Sequence, residues 1–253
     1  MTDLTLAGAM PVLLGPFIGS FLGVLAERLP RGEDVVRRPS ACRCCGARLG
    51  PADLVPILSF ALRRGRCRHC AAPIPPWLLY TEILATGAAC LAVLAGGTPA
   101  GIWYAALFLW LLIVLGMCDL MFFRLPDILT GALLVLTLVG AAIWEPGGLG
   151  PALIAAAAGA GSFLALRIGY RLLRRREGLG LGDVKLMAGL GAFAGLRDLP
   201  LLVLLAALAA LGAALAGRLG RGRLPRGDLA LPFGASLCAA AAGLWLLRAA
   251  DAI

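Results

Sequence analysis

Two aspartates stand at the ends of apolar runs, where a carboxylate would lie between water and hydrocarbon. Asp119 closes the run 102–118, and Asp183 precedes the run 186–195, directly after the glycine-rich stretch 178–182. An ionisable group at that depth is costly unless it is paired or functional. The two acids therefore indicate a site at one membrane face.

If these two carboxyl groups meet, they form a dyad. Like charges a few ångströms apart cannot both ionise, so the pair shares one proton. The ionised carboxylate can take a proton from a water as it attacks a peptide carbonyl, while the protonated partner donates to the carbonyl oxygen. This is aspartic peptidase chemistry. The one histidine, His69, lies in a cysteine-rich loop, so a serine–histidine mechanism has no evident base.

Each acid also has a structural explanation. Asp127 follows Pro126 and precedes an apolar run, so capping of a helix N-terminus is the favoured prediction for it. Asp183 could equally be a cap or a catalyst. Asp119 ends its helix, where the macrodipole disfavours an anion, so capping does not explain it. Neutralisation by Arg124 is the rival explanation for Asp119.

A pair of C-x-x-C motifs is the second chemical signal. The pairs are separated by 21 residues in a long hydrophilic loop, which predicts a zinc site of four thiolates. The predicted ligands are Cys42, Cys45, Cys67 and Cys70. Cys44 or His69 could substitute as a ligand, and redox-active or incidental thiols are the alternatives. Four thiolates leave no open position, so the metal is expected to be structural.

The other cysteines and the segment between the two motifs carry no such signal. The single cysteines in apolar helices are predicted to pack as small hydrophobic residues. They are Cys90, Cys118 and Cys238. The stretch Leu54 to Leu62 is apolar but too short to span a bilayer, so it should pack on the cysteine loop or rest at the membrane surface.

The composition identifies the class of protein. Of 253 residues 60% are hydrophobic, and the mean hydropathy is +0.91. Repeated apolar runs near 20 residues predict an all-α polytopic membrane protein. We predict about eight transmembrane helices, at roughly 5–26, 78–96, 102–118, 128–144, 151–170, 184–196, 198–217 and 229–247.

The arginines set the expected orientation. They concentrate in alternate loops, 27–77, 171–183 and 218–228, whereas 97–101 is uncharged and 145–150 holds only an acid. The positive-inside rule then places these arginine-rich loops and the aspartates on the cytoplasmic side, with both termini outside. The same distribution explains the net charge of +9 and argues against nucleic acid as a partner.

With these motifs in place, the chain resembles the type IV prepilin peptidase family, the bifunctional leader peptidase/N-methyltransferases. In the first part, Gly19-Ser20-Phe21-Leu22 and Arg28-Leu29-Pro30 resemble the family's first-helix signature. The cysteine pairs with Pro56, Ser59 and Arg64-Gly65-Arg66 are similar to its cytoplasmic loop, and Glu82 resembles the glutamate opening its second helix.

The second part carries the more specific motifs. Asp119 with Pro126-Asp127 matches the family's first catalytic aspartate, and Gly180-Leu181-Gly182-Asp183 followed by Lys185 matches its G-x-G-D motif. Leu231-Pro232-Phe233-Gly234 resembles the opening of its last helix. The resemblance implies catalytic roles for Asp119 and Asp183, with Gly180, Gly182, Lys185 and Asp127 as supporting residues.

The resemblance further implies what the protein does. It would cut the basic leader from type IV prepilins or type II secretion pseudopilins at the cytoplasmic face of a bacterial inner membrane. It would then methylate the new N-terminal residue with S-adenosyl-L-methionine as donor. Residues 1–100 would form the methyltransferase-associated region with the cysteine loop, and residues 101–253 a six-helix peptidase domain.

Three other functions are compatible with parts of the sequence. Gly23 and Arg43 differ from the residues usual in the family, asparagine and proline, in the region tied to methyl transfer, which suggests a peptidase without that activity. Intramembrane acids could instead serve a transporter, although such acids should lie near mid-span. A non-enzymatic assembly protein would use the cysteine loop for docking and would tolerate Asp183→Asn.

Overall fold

The computed structural model describes residues 6–174, 178–221 and 231–251. The regular secondary structure of these residues is helical, with two isolated β-bridges and no strand among them. The helices are α1 Leu6–Arg28, α2 Leu58–Leu62, α3 Pro76–Leu94, α4 Pro99–Phe122, α5 Asp127–Trp144, α6 Leu149–Arg174, α7 Leu181–Arg221 and α8 Phe233–Asp251. All but the short α2 lie within a few residues of the predicted segments.

The predicted all-α membrane fold is confirmed. In the described part of the chain, seven helices are long and apolar enough to cross a membrane by length and composition. The count is one below the predicted eight because the predicted segments 184–196 and 198–217 both fall within α7. A continuous helix of its 41 residues would be about 60 Å long, twice the thickness of a hydrocarbon core of about 30 Å.

A break at Gly195 divides α7 between the two predicted segments. Its φ of 72° and ψ of 166° lie in a region open almost only to glycine. The carbonyls before such a break lose their helical N–H partners. The Arg248 guanidinium of α8 replaces them, donating to Phe193 O at 3.0 Å and to Ala194 O at 2.6 Å, and it also pairs with Asp198 at 2.6 Å. α8 therefore stabilises the broken conformation.

The chain forms two compact units, Met1–Val114 and Leu115–Ile253, with the boundary inside α4. In the first unit, glycines let α1 and α3 approach closely, as small residues do in membrane helices. A Cβ at Gly15 would lie 2.8 Å from Thr86 Cα, and one at Gly19 would lie 2.5 Å from Glu82 Cα.

The short helix α2 belongs to the loop between α1 and α3. Its Leu58 and Leu62 side chains are 54% and 76% exposed. The Phe60 ring lies against Gly65 of the same loop, since a Cβ there would be 2.9 Å from it. Both placements predicted for this stretch, on the cysteine loop and at the membrane surface, stay predictions.

In the second unit, glycines seat the first part of α7 against its neighbours. A Cβ at Gly191 would lie 2.5 Å from Ala155 O of α6, and one at Gly159 of α6 would lie 2.6 Å from Met187 O. A Cβ at Gly189 would lie 3.0 Å from Leu133 Cγ of α5. The part of α7 that begins with Asp183 is thus fixed on two sides.

Replacing Gly195 with alanine should destabilise the protein. No atom lies within 4 Å of the new Cβ, so the cost is the backbone strain of a positive φ, about 1–3 kcal/mol. Gly212→Ala is the matched control, because Gly212 lies in the same helix with equal space and no positive φ. Thermal unfolding in detergent should separate the two variants, and equal midpoints would contradict the strain argument.

Candidate active site and metal centre

Asp119 lies in the last turn of α4 and is only 6% exposed. Its Oδ2 accepts the Ala235 N–H at 2.8 Å, and its carboxylate also accepts the Gly234 N–H. Both donors are in the first turn of α8, where N–H groups have no partner within their own helix. The carboxylate that opposes the dipole of α4 is thus stabilised by the positive end of α8.

Asp183 is the third residue of α7 and is half-buried. Its carboxylate accepts the N–H of Gly180, the residue just before the helix, as the acid of a capping box does. The two explanations left open for Asp183 are therefore compatible, because one hydrogen bond leaves the carboxyl group with free lone pairs.

The two acids share one environment. The charge of Asp119 acts on the Asp183 carboxyl, and both acids act on the buried Cys238 thiol. Leu125 lies against the glycine beside each acid. A Cβ at Gly182, the neighbour of Asp183, would lie 3.0 Å from Leu125 Cβ. A Cβ at Gly234 would lie 3.0 Å from Leu125 Cδ1 and 3.1 Å from Asp119 Cγ. Substitution of either glycine would disturb the site.

The prediction that Asp127 caps α5 is wrong. The cap position is Pro126, which supplies no side-chain hydrogen bond, and Asp127 is the first residue of the helix. Its Oδ1 instead accepts Lys185 Nζ at 2.7 Å, and its side chain is 75% exposed. The ion pair joins the starts of α5 and α7. An acid in a first turn is favoured by the helix dipole without capping it.

The four cysteines predicted as ligands come together in the first unit. The Sγ atoms of Cys42, Cys45, Cys67 and Cys70 lie within 4.8 Å of one another. Cys44 and His69, the two substitutes considered, are not in this group. The Cys42 and Cys70 sulfurs are 3.7 Å apart, close to the roughly 3.8 Å expected between ligands around a tetrahedral Zn²⁺ with Zn–S bonds of about 2.3 Å.

Both cysteine pairs are built on the same turn. Cys42 N–H donates to Ala47 O and Cys67 N–H to Ala72 O, each at 2.9 Å. The residue after each pair, Gly46 or Ala71, is left-handed, with φ of 70° and 58°. Gly46 N–H donates to Cys42 O and Ala71 N–H to Cys67 O, each at 3.0 Å, which closes the turn in both pairs.

Within the first turn, backbone N–H groups point at sulfur. Hydrogen bonds from the Cys45 and Cys44 N–H groups lower the pKa of the Cys42 thiol to about 6. This favours the thiolate, which is the form that binds metal. Of the cysteines predicted to pack in apolar helices, Cys118 and Cys238 are buried and Cys90 is partly buried.

Glu82 is predicted from the sequence only through the family resemblance. In the structure its carboxylate is buried and hydrogen-bonded. Glu82 is 9% exposed within α3. Its Oε2 accepts the Ile57 N–H at 2.7 Å, and its carboxylate is also hydrogen-bonded by Ser20 of α1. Ile57 has a φ of 60°, which is rare for a β-branched residue. An acid inside an apolar run was a usable signal.

Arg43, one of the two positions that depart from the family pattern, also makes defined contacts. Its guanidinium pairs with Glu27 Oε2 near the end of α1 and lies 5.3 Å from the centroid of the Trp77 ring at the start of α3. Gly23 is near the same ring, since a Cβ there would lie 3.6 Å from Trp77. The first cysteine turn is thereby attached to both helices.

Two protein-family models match separate parts of the chain. The model of the bacterial peptidase A24 N-terminal domain matches residues 13–95, and that of the type IV leader peptidase family matches residues 106–215. No solved structure gives a significant match.

Curated relatives agree with these matches. A prepilin leader peptidase/N-methyltransferase of Burkholderia pseudomallei strain 1026b is 37% identical, over 92% of this chain and 83% of the relative. Proteins of the same name from Aeromonas hydrophila and Klebsiella pneumoniae are 35% and 37% identical, over 78% and 80% of this chain and 76% and 92% of theirs. The chain therefore belongs to the type IV leader peptidase family.

Proposed function

We propose that this chain removes the leader peptide from prepilins or pseudopilins and then methylates the new N-terminal residue. The observation that carries the peptidase activity is the placing of two acids: Asp119 ends α4 against Gly234, and Asp183 begins α7 beside Gly182, with Leu125 in contact with both glycines. Family membership and the names of the relatives support both activities.

The dyad hydrolyses the peptide bond without a covalent intermediate. One carboxylate takes a proton from a water, whose oxygen bonds to the scissile carbonyl carbon, while the other carboxyl group protonates the carbonyl oxygen. The carbon–nitrogen bond then breaks, and the leaving amine takes up a proton from the dyad. The products are the free leader and a new N-terminal amine. The acid and base roles belong to the pair, because coupled groups titrate together.

Main-chain donors hold both carboxyl groups ready for this reaction. Asp119 is fixed by the N–H groups of Gly234 and Ala235, and Asp183 by that of Gly180. Such donors cost little reorganisation during the reaction, which is the basis of electrostatic preorganisation. The Lys185–Asp127 pair supports the site by holding the starts of α5 and α7 together.

The reaction belongs at the cytoplasmic face of a bacterial inner membrane. In the sequence, the arginine-rich loop 171–183 leads directly into the helix that carries Asp183, and the positive-inside rule assigns such loops to the cytoplasm. A basic leader emerging from a membrane-embedded prepilin would reach these helix ends. We assign peptidase activity to residues 101–253 and the methyltransferase-associated region to residues 1–100.

The cofactors differ in how well the chain fits them. The cysteine cluster fits Zn²⁺ in charge, number and spacing, and four thiolates would hold it as a structural ion that fixes the loop. For the methyl donor we propose S-adenosyl-L-methionine. The described residues contain no glycine-rich strand–turn–helix unit of the dinucleotide-binding kind. We assign no residue to this donor and derive no step through it.

Asp119→Asn and Asp183→Asn should each abolish leader cleavage, with losses of at least about 10²–10⁴-fold, because neither amide can exchange a proton with water or carbonyl. Purified variants would be incubated with a prepilin in detergent, and the products would be weighed by mass spectrometry. Glu145→Gln is the control, since Glu145 is an exposed acid at the far end of α5. Normal cleavage by either aspartate variant would refute the dyad.

Methyl transfer should survive the loss of the dyad. A synthetic peptide that begins at the mature N-terminus should gain one methyl group from S-adenosyl-L-methionine with the intact protein and with Asp183→Asn alike, because no peptide bond has to break. Peptide mass is the readout. An unmethylated peptide from the intact protein would instead favour the peptidase-only alternative, for which Gly23 was the motivating observation.

Zinc content should separate two neighbouring cysteines. The intact protein and Cys44→Ser should retain about one zinc ion per chain, whereas Cys45→Ser should lose most of it. Of these two cysteines, Cys45 belongs to the four-sulfur cluster and Cys44 does not. Elemental analysis of purified protein provides the measurement. Equal zinc in the two variants would contradict the assigned ligand set.

A further inference from the structure

Two side chains of α6 contact the turn Gly178–Gly180, which leads into α7. Arg167 Nη1 donates to the Leu179 carbonyl at 2.6 Å. The Tyr170 ring lies against Gly178 so closely that a Cβ there would be 2.5 Å from Tyr170 Cδ1. Arg167 and Tyr170 are three residues apart, so they project from one face of the helix.

The same turn is hydrogen-bonded to Asp183, the proposed catalytic residue. Gly180, the residue after Leu179, donates its N–H to Asp183. Glycines are the residues that lose most conformational freedom on ordering, so a turn with glycine at 178, 180 and 182 does not fix its own geometry. The contacts from α6 supply the constraint that the turn lacks.

Arg167 is also expensive to place where it is. It lies nearly two turns before the end of α6 at Arg174 and one turn deeper than Arg171, which belongs to the same candidate span. A cation at such a position is costly unless it is paired, and it marks a functional site by default. Arg171, one turn nearer the end of the helix, is exposed and can extend toward water. Only the first of these two arginines binds the turn.

We propose that Arg167 and Tyr170 are positioning residues that set the place of Asp183 in the active site by fixing the Gly178–Gly180 turn. The inference rests on the proposed peptidase function. A displacement of about 1 Å in a reacting group can cost about 10²-fold in rate. Loss of the contacts from Arg167 and Tyr170 should therefore lower kcat, while substrate binding, and hence KM, stays nearly unchanged.

The first test compares two arginines of α6. Arg167→Met removes the donor to Leu179 and should lower kcat for prepilin cleavage about 10–100-fold with little change in KM. Arg167→Lys keeps one donor and should recover part of the loss. Arg171→Met removes an equal charge from the same helix and should cleave like the intact protein. Equal kcat for Arg167→Met and Arg171→Met would overturn the role of Arg167.

The second test uses the contact between Tyr170 and Gly178. Gly178→Ala should lower kcat because its Cβ displaces the turn, whereas Tyr170→Phe keeps the ring and should not. Tyr170→Ala removes the ring and should itself lower kcat. Because the added Cβ then has no ring to clash with, Gly178→Ala combined with Tyr170→Ala should match Tyr170→Ala alone. A double variant slower than Tyr170→Ala by the full loss seen for Gly178→Ala would overturn the contact.

Failure of this inference is distinguishable from failure of the proposed function. Asp183→Asn is assayed beside the other variants, with zinc content and thermal midpoint measured on each to confirm folding. Cleavage by Asp183→Asn would refute the peptidase mechanism itself. An inactive Asp183→Asn together with fully active Arg167→Met and Tyr170→Ala would leave the peptidase intact and refute only the positioning role. If Arg167→Met does not fold, Arg167→Lys and the Tyr170 variants still decide the question.

Discussion

The structure of the second unit depends on one constraint, that a carboxylate next to hydrocarbon needs hydrogen-bond donors from the protein. Here main-chain N–H groups at the starts of two helices meet that requirement: those of α8 bind Asp119, and the one before α7 binds Asp183. A helix N-terminus offers unpaired donors and the positive end of a dipole together. The arrangement therefore requires α4, α7 and α8 to converge, which the glycines at 182 and 234 permit.

The sequence was sufficient for the class of fold, whereas the catalytic pairing of Asp119 and Asp183 stays a prediction. Alternation of arginine-rich and arginine-poor loops placed Asp119 and Asp183 at the same face, and the structure brings the two within electrostatic reach. The count of spans differed for a physical reason. The two predicted segments correspond to two helices that meet at a kink without a loop, because only Gly195 departs from helical φ and ψ, and α7 counts them together.

What the sequence could not supply were contacts between residues that lie apart in the chain. The residues next to Asp127 predicted that it caps α5, yet its side chain pairs with Lys185, 58 residues away. The hydrogen bonds of Glu82 to Ile57 and of Arg167 to Leu179 depend in the same way on how helices and loops meet. Local patterns report helix ends well, but they do not report which helix end lies opposite.

The two candidate sites are held by different means, and this bears on how each could be lost. The described hydrogen bonds of the acids all lie within Leu115–Ile253 and come mainly from the backbone. The sulfurs of the cysteine cluster belong to a loop of Met1–Val114 with little apolar core, where clustered thiolates repel unless a cation is bound. A metal chelator should therefore act first on the loop, whereas a substitution that shifts a helix start should act first on the acids. Separable loss of the two sites is the expected consequence, because their described supports share no residue.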